Sequence, residues 1–349
     1  MVKSKNNLPS LIVVLDTNKW YSQKLLRSAL GRALIYAVSD LGGKLGLPEV
    51  IKRELISKCE EKGGESVKKI RSNLSEIKSL TGEAPDPDLP NKEKIQEQVI
   101  KRLEDLDNLI ITRKPTIDHY ENSLEKTVSK SPPSEDGNGF RDCLIWEVNL
   151  EWSSETKVVF ITGDGDFFDS NRDGLHQELQ EELKEAGGEL DIYLNIKDFL
   201  SSLEQEVTEP DSKFVTEEIS KSLKDEIYDL AKTKGFDIDS LQDSEVDYFL
   251  TQSPVYLAVD FNLQYLILNL PISEEKGKLS RANMLVSGSC NYSIEKGKVS
   301  DIQLEEIKLE TLSGEKIYRR VIAKAEPIVI GMEVNSYSLK TSLEGYFDT

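Results

Sequence analysis

Four carboxylates stand where a parallel sheet would gather them. Asp16 follows the apolar run Leu11-Ile12-Val13-Val14-Leu15, and Asp164 follows Val158-Val159-Phe160-Ile161 by way of Thr162-Gly163. Asp142 opens an apolar helix, and Glu54 lies on a helix that comes after a short strand. Crowding such groups is costly: two unit charges 4 Å apart repel by about 1 kcal/mol in water and about 4 kcal/mol at an effective dielectric of about 20. The cluster persists only if carboxylates protonate, water screens them or cations neutralise them. An all-oxygen donor set favours Mg²⁺ or Mn²⁺ over zinc. Two such ions about 3.5–4 Å apart activate a water and stabilise the leaving oxygen of a phosphodiester.

The elements that must position these groups follow from the hydrophobic pattern. Both apolar runs read as strands buried on both faces, as in a parallel sheet. In open α/β sheets ligands bind beyond the carboxyl ends of such strands. Leu25, Ala29, Ala33 and Ala37 keep helical spacing until Gly42-Gly43, and residues 44–47 make a short strand. Pro48 suits the first turn of the next helix, where Glu49 faces the helix dipole. Ile95, Val99, Leu103 and Leu106 mark a second long helix, so that residues 60–107 form a helical insertion. A strand at 109–112, a loop at 130–139 and a helix opened by Phe140-Arg141-Asp142 lead to the second apolar run. A helix near 174–186, a strand at 191–194 and a closing helix at 196–203 complete an alternating β/α pattern.

The character changes near Glu204. Residues 204–250 read as an acidic helical linker, with Ile219, Leu223, Ile227 and Leu230 in period. From 251 to 349 alternation takes over, with Leu257, Val259, Phe261, Leu263, Tyr265 and Ile267 on one face. Further strands at 284–294, 299–312, 316–325 and 328–339 indicate an antiparallel β-rich accessory domain. The expected fold class is therefore α/β: a three-layer α/β/α parallel sheet over residues 1–203 with inserted helices, then the linker and the β-rich domain.

Composition bounds the answer further. With 349 residues, 38% hydrophobic and 31% charged, the chain has material for two domains. No apolar run approaches the ~20 residues that span a bilayer. Pro9 and Asp16 cut short the N-terminal run that resembles a signal peptide. Cys59, Cys143 and Cys290 are odd in number and widely spaced, which fits a reducing cytoplasm. The formal charge of −19 argues against a nucleic-acid partner at first sight, but it is unevenly spread. Residues 204–247 hold 14 acids and 5 bases, whereas residues 52–78 hold 8 bases and 5 acids.

The phrases Val14-Leu15-Asp16-Thr17-Asn18, Leu47-Pro48-Glu49-Val50 with Glu54, Phe140-Arg141-Asp142, and Phe160-Ile161-Thr162-Gly163-Asp164-Gly165-Asp166-Phe167 together resemble the PIN-domain nucleases. The resemblance covers about residues 8–203. The phrase from Ser131 to Trp146 is similar to a longer bacterial PIN-like branch, found in stress or defence settings. It implies metal-dependent hydrolysis of single-stranded RNA, leaving 3′-hydroxyl and 5′-phosphate ends, with single-stranded DNA as a second candidate substrate. Carried over residue by residue, Asp16, Glu54, Asp142 and Asp164 are the catalytic metal-binding acids and Asp166 an auxiliary one. The implied cofactor is Mg²⁺ or Mn²⁺, two ions in all. Asn18 and Thr162 are hydrogen-bonding supports, and Arg141 meets a substrate phosphate or pairs with an acid. Lys62, Lys68, Lys69 and Arg71 on the insertion are expected to form a basic substrate wall.

Two rival functions carry weight. A haloacid-dehalogenase-like phosphatase shares Leu15-Asp16 and Gly163-Asp164-Gly165, but Asn18 stands where that chemistry needs a second Asp. A catalytically silent PIN-like scaffold would work by binding a regulatory partner through the β-rich domain. Self-association is left open. Thr17 is expected to cap a helix, and His119 and His176 to be ordinary surface residues.

Overall fold

Leu11–Leu15, buried along its whole length, is the central strand β1 of a parallel sheet. The computed structural model describes residues 9–205, 207–273, 277–314, 316–321 and 329–330. Strands β2 (Lys44–Pro48), β3 (Ile110–Arg113), β4 (Lys157–Ile161) and β5 (Leu190–Tyr193) complete the sheet in the order β3-β2-β1-β4-β5. All four pairings are parallel, with Val13 opposite Leu45 on one side and Val159 on the other. The continuous β-branched and aliphatic content of β1 and β4 fits strands covered on both faces. The chain lays β2 and β3 on one side of β1, then β4 and β5 on the other. The strand order therefore reverses between β1 and β4, the kind of place where open α/β sheets take ligands beyond the carboxyl ends of their strands.

Helices flank this sheet: α1 (Thr17–Ser22), α2 (Ala29–Asp40), α3 (Glu49–Thr81), α4 (Lys92–Asp105), α5 (Ile117–Ser129), α6 (Phe140–Ser153), α7 (Gln177–Glu185) and α8 (Ile196–Ser202). Trp20 of α1 and Trp146 and Trp152 of α6 are fully buried. Gly46 leaves room for its neighbours on β1 and α6: a Cβ there would lie 2.6 Å from Val14, 2.7 Å from Ile12 and 3.0 Å from the Trp152 ring.

Helix α3 runs unbroken for 33 residues, roughly 50 Å. The insertion expected at 60–107 is thus no separate element at its start. It is the continuation of the helix that carries Glu54, and α4 packs back on it. Gly63 permits the approach, since a Cβ there would meet Ile95 at 2.9 Å. Gly82 ends α3 in the left-handed conformation, φ 84°. Among the described residues no helix is long and apolar enough to cross a membrane.

Contacts divide the chain after Leu203, with Arg27–Leu34 grouping with the later residues. The second unit has an antiparallel sheet of β6 (Asp237–Leu250), β7 (Tyr256–Ser273), β8 (Gly277–Ser293), β9 (Lys298–Glu310) and β10 (Lys316–Val321), ordered β10-β9-β8-β7-β6. A short β11 (Val329–Ile330) pairs with β9. The segment 204–250 is not a linker. Its helices α9 (Ser212–Ser222) and α10 (Lys224–Lys234) bury Val215, Ile219, Ile227 and Leu230 in one core with Val259, Phe261, Ile267 and Met284. It ends in β6, an edge strand on which Asp237, Asp239, Asp243 and Glu245 are exposed. Most of the strand expected at 328–339 lies outside the described residues.

Candidate active site

The residues that leave the carboxyl ends of β1 and β4 are tied to one another. The Asp16 backbone N–H donates to the carbonyl of Ile161 at 3.0 Å, which fastens the end of β1 to the end of β4. Thr162, fully buried, then serves both sides: its hydroxyl donates to Asp16 Oδ2 at 3.5 Å and accepts the Asp164 N–H at 3.1 Å. Asp164 Oδ1 in turn accepts the Asp166 N–H at 3.1 Å and so caps the single 3₁₀ turn Gly165–Phe167.

Asp142 comes from the first turn of α6. The loop before it is packed tightly. The Gly139 N–H donates to Ser134 Oγ at 2.8 Å, and a Cβ on Gly139 would fall 2.7 Å from the Pro133 carbonyl oxygen. Glu54 comes from the second turn of α3. Its Oε2 accepts from Thr17 Oγ1 at 2.9 Å and its Oε1 from Arg141 Nη1 at 2.6 Å.

Electrostatics tie the four acids together. Burial pushes the Asp142 carboxyl up to about 7, and the charges of Asp164, Asp16 and Glu54 push the same way against Arg141. Asp16 is likewise raised, first by burial and then by Glu54 and Asp164, while the Thr17 N–H and Lys19 oppose the rise. Asp16 and Asp142 thus each disfavour the ionised form, chiefly through burial and further through the neighbouring acids.

Asp166 stands apart. It is exposed, and its carboxyl is raised by what burial it has and then by the charges of Asp164, Glu135 and Asp136. Asn18 also differs from expectation: its side-chain oxygen meets Lys58, not a carboxylate. Besides Thr162, the hydroxyl that holds an acid is that of Thr17, buried where a plain helix cap was expected. His119 is buried rather than superficial and closes the capping box of α5 with Thr116.

A cleft of about 680 Å³ leads away from Glu54. Glu49, Arg53, Glu54, Lys58 and Lys62 line it from α3, Lys114 from the end of β3, Tyr120 from α5 and Arg141 from α6. Of the four basic residues expected as a wall, Lys62 belongs here, and it is paired with Glu65 at 2.9 Å. Lys68, Lys69 and Arg71 lie about 21–26 Å beyond Glu54 along α3, too far to share its chemistry. Arg53, Lys58 and Lys114 escaped sequence reasoning. Arg53 and Lys58 stand one residue before and four after Glu54 on α3, a spacing that was available as a signal.

The donors suit a hard divalent cation in kind, since all four are carboxylates with Asp16 and Asp142 strained in their charged forms. As the side chains stand, no three His, Cys, Asp or Glu among the described residues are gathered closely enough to hold one ion. Glu54 is drawn toward Thr17 and Arg141 instead. A family model described as PIN domain matches residues 13–167. No curated protein and no solved structure matches the chain.

Proposed function

We propose, from the PIN domain that residues 13–167 carry, that this chain is a metal-dependent endoribonuclease hydrolysing phosphodiester bonds of single-stranded RNA. What supports it most is that acids from four remote segments act on one another: the charges of Glu54 and Asp164 add to burial in raising both Asp16 and Asp142. Divalent ions bound by these four residues would supply a polarised water and neutralise the charge developing on the leaving oxygen. The chain's own groups do the rest. Thr162 and Thr17 orient Asp16 and Glu54 through the hydroxyl contacts at 3.5 and 2.9 Å. Arg53, Lys58, Lys62, Lys114 and Arg141 line the cleft and hold successive phosphates. Asp166 serves the site indirectly, through the turn that Asp164 caps.

Incubation with end-labelled single-stranded RNA and Mn²⁺ or Mg²⁺ tests this. Cleavage is expected with either ion and not with chelator, yielding 3′-hydroxyl and 5′-phosphate ends. Asp16→Asn and Asp164→Asn are each expected to lower the rate by about 100-fold or more. Undiminished cleavage by Asp16→Asn would exclude this site. A parallel single-stranded DNA substrate decides between the two nucleic acids. Nothing favours the phosphatase reading, because the position two residues after Asp16 is an asparagine engaged by Lys58.

A further inference from the structure

The cleft holds one aromatic side chain among its charges. Tyr120 lines it beside Lys114, Pro115, Arg141 and Leu144, and remains 48% exposed. Its ring stacks on Phe140, with centroids 6.4 Å apart and planes inclined by 26°. Phe140 begins α6, so this pair of rings is fixed to the same helical turn that presents Arg141 and Asp142. Among the described residues the Tyr120 side chain makes no hydrogen bond. Tyr120 also belongs to an exposed stripe on α5 with Ile117, Leu124 and Val128, but of the four it alone lines the cleft.

We propose that Tyr120, backed by Phe140, is the platform on which an unpaired base of the substrate stacks, while Arg141 and Lys114 take the neighbouring phosphates. This rests on the nuclease reading for its substrate, but it is a claim about binding. A flat, half-exposed ring with its other face supported offers one free π-surface, and every base has a complementary one. A base inside a duplex is already stacked on both faces, so the platform selects single strands without reading their sequence.

The test is equilibrium binding of a labelled single-stranded RNA octamer to the full chain, with divalent ions chelated so that nothing is cut. Tyr120→Leu keeps an apolar side chain and removes the π-face; it is expected to weaken binding about 5- to 150-fold, with Tyr120→Phe within twofold of the parent. One abasic nucleotide, walked along the octamer, should weaken binding to the parent at a single position and leave the Leu variant indifferent there. Equal binding by parent and Leu variant, or an abasic penalty common to both, overturns the platform and returns Tyr120 to the aliphatic stripe. Those results leave metal-dependent cleavage standing. Conversely, RNA binding that depends on Tyr120 without any Mn²⁺-dependent cleavage keeps the platform and removes the nuclease. No RNA binding by the parent overturns the platform as well.

Discussion

Asp142 is the residue at which folding and chemistry conflict most directly. Burial and the neighbouring acids push its carboxyl up to about 7 from an ordinary value of 3.8. Between those two pH values the native state keeps a proton that the unfolded chain has lost, so native stability falls as pH rises from about 4 to about 7. An asparagine has no such dependence. At pH 4 the parent and Asp142→Asn should melt together. At pH 8 the variant, without divalent ions, should melt about 2–8 °C higher, as expected for relief of about 1–3 kcal/mol of burial cost and repulsion together. Mn²⁺ should raise the parent's melting temperature more at pH 8 than at pH 5, because protons compete for the same oxygens, and should do little for the variant. Scanning calorimetry at the two pH values checks all three statements. Arg141 supplies the second expectation. Its guanidinium occupies Glu54 at 2.6 Å, so Arg141→Gln should tighten Mn²⁺ binding about 3- to 10-fold while weakening RNA binding, two effects of opposite sign from one substitution. Titration calorimetry with Mn²⁺ alone would show no gain if the ion pair has no hold on Glu54.

At the scale of elements, what the sequence made legible was whatever its hydrophobic period declared. β1 is apolar on every residue and β4 on all but its first, Lys157, so their ends, Asp16 and Thr162-Gly163-Asp164, could be located without a structure. α5 hid because its amphipathy is reversed: Ile117, Leu124 and Val128 face solvent, while His119 and Ser123 are buried on its inner side. β6 hid because acids and serines fill an edge strand, where one neighbour suffices and charge discourages a second. The role of Thr17 was invisible for a different reason, since a hydroxyl that meets Glu54 across 37 positions leaves no local pattern. Glycines record the packing that the period does not. A side chain on Gly139 would strike the Pro133 carbonyl oxygen, a backbone atom that cannot rotate away, at the loop from which Arg141 and Asp142 emerge. Gly139→Ala should therefore cut cleavage by about tenfold or more with every acid in place, by moving the start of α6. Gly46→Val should do the reverse, destabilising the sheet by about 1–3 kcal/mol or more while the folded fraction keeps its specific activity. Rates normalised to folded protein separate the two. If both variants lose stability and neither loses specific activity, Gly139 has no part in presenting the site.

At the scale of the whole molecule, a chain of net charge −19 must attract a polyanion through a local surface. Almost half of the excess lies between residues 204 and 247, in the second unit, whereas the five bases of the cleft belong to the first. Two opposing salt effects follow. Each phosphate contact releases counterions, which lowers log K with log salt by about 0.7 per contact on a single strand. The repulsion between RNA and the protein as a whole is screened by the same salt, within about 10 Å at 0.1 M, and this strengthens binding. Five contacts alone would give a slope near −3.5, so the observed slope should be shallower, between about −1 and −3. The double substitution Lys58→Glu, Lys62→Glu removes two contacts and adds repulsion, and should bring the slope close to zero or reverse its sign. Fluorescence anisotropy between 20 and 300 mM salt measures both slopes. A parent slope already at zero would mean that the cleft holds no phosphates, and the bases around Glu54 would then serve only to balance their neighbouring acids.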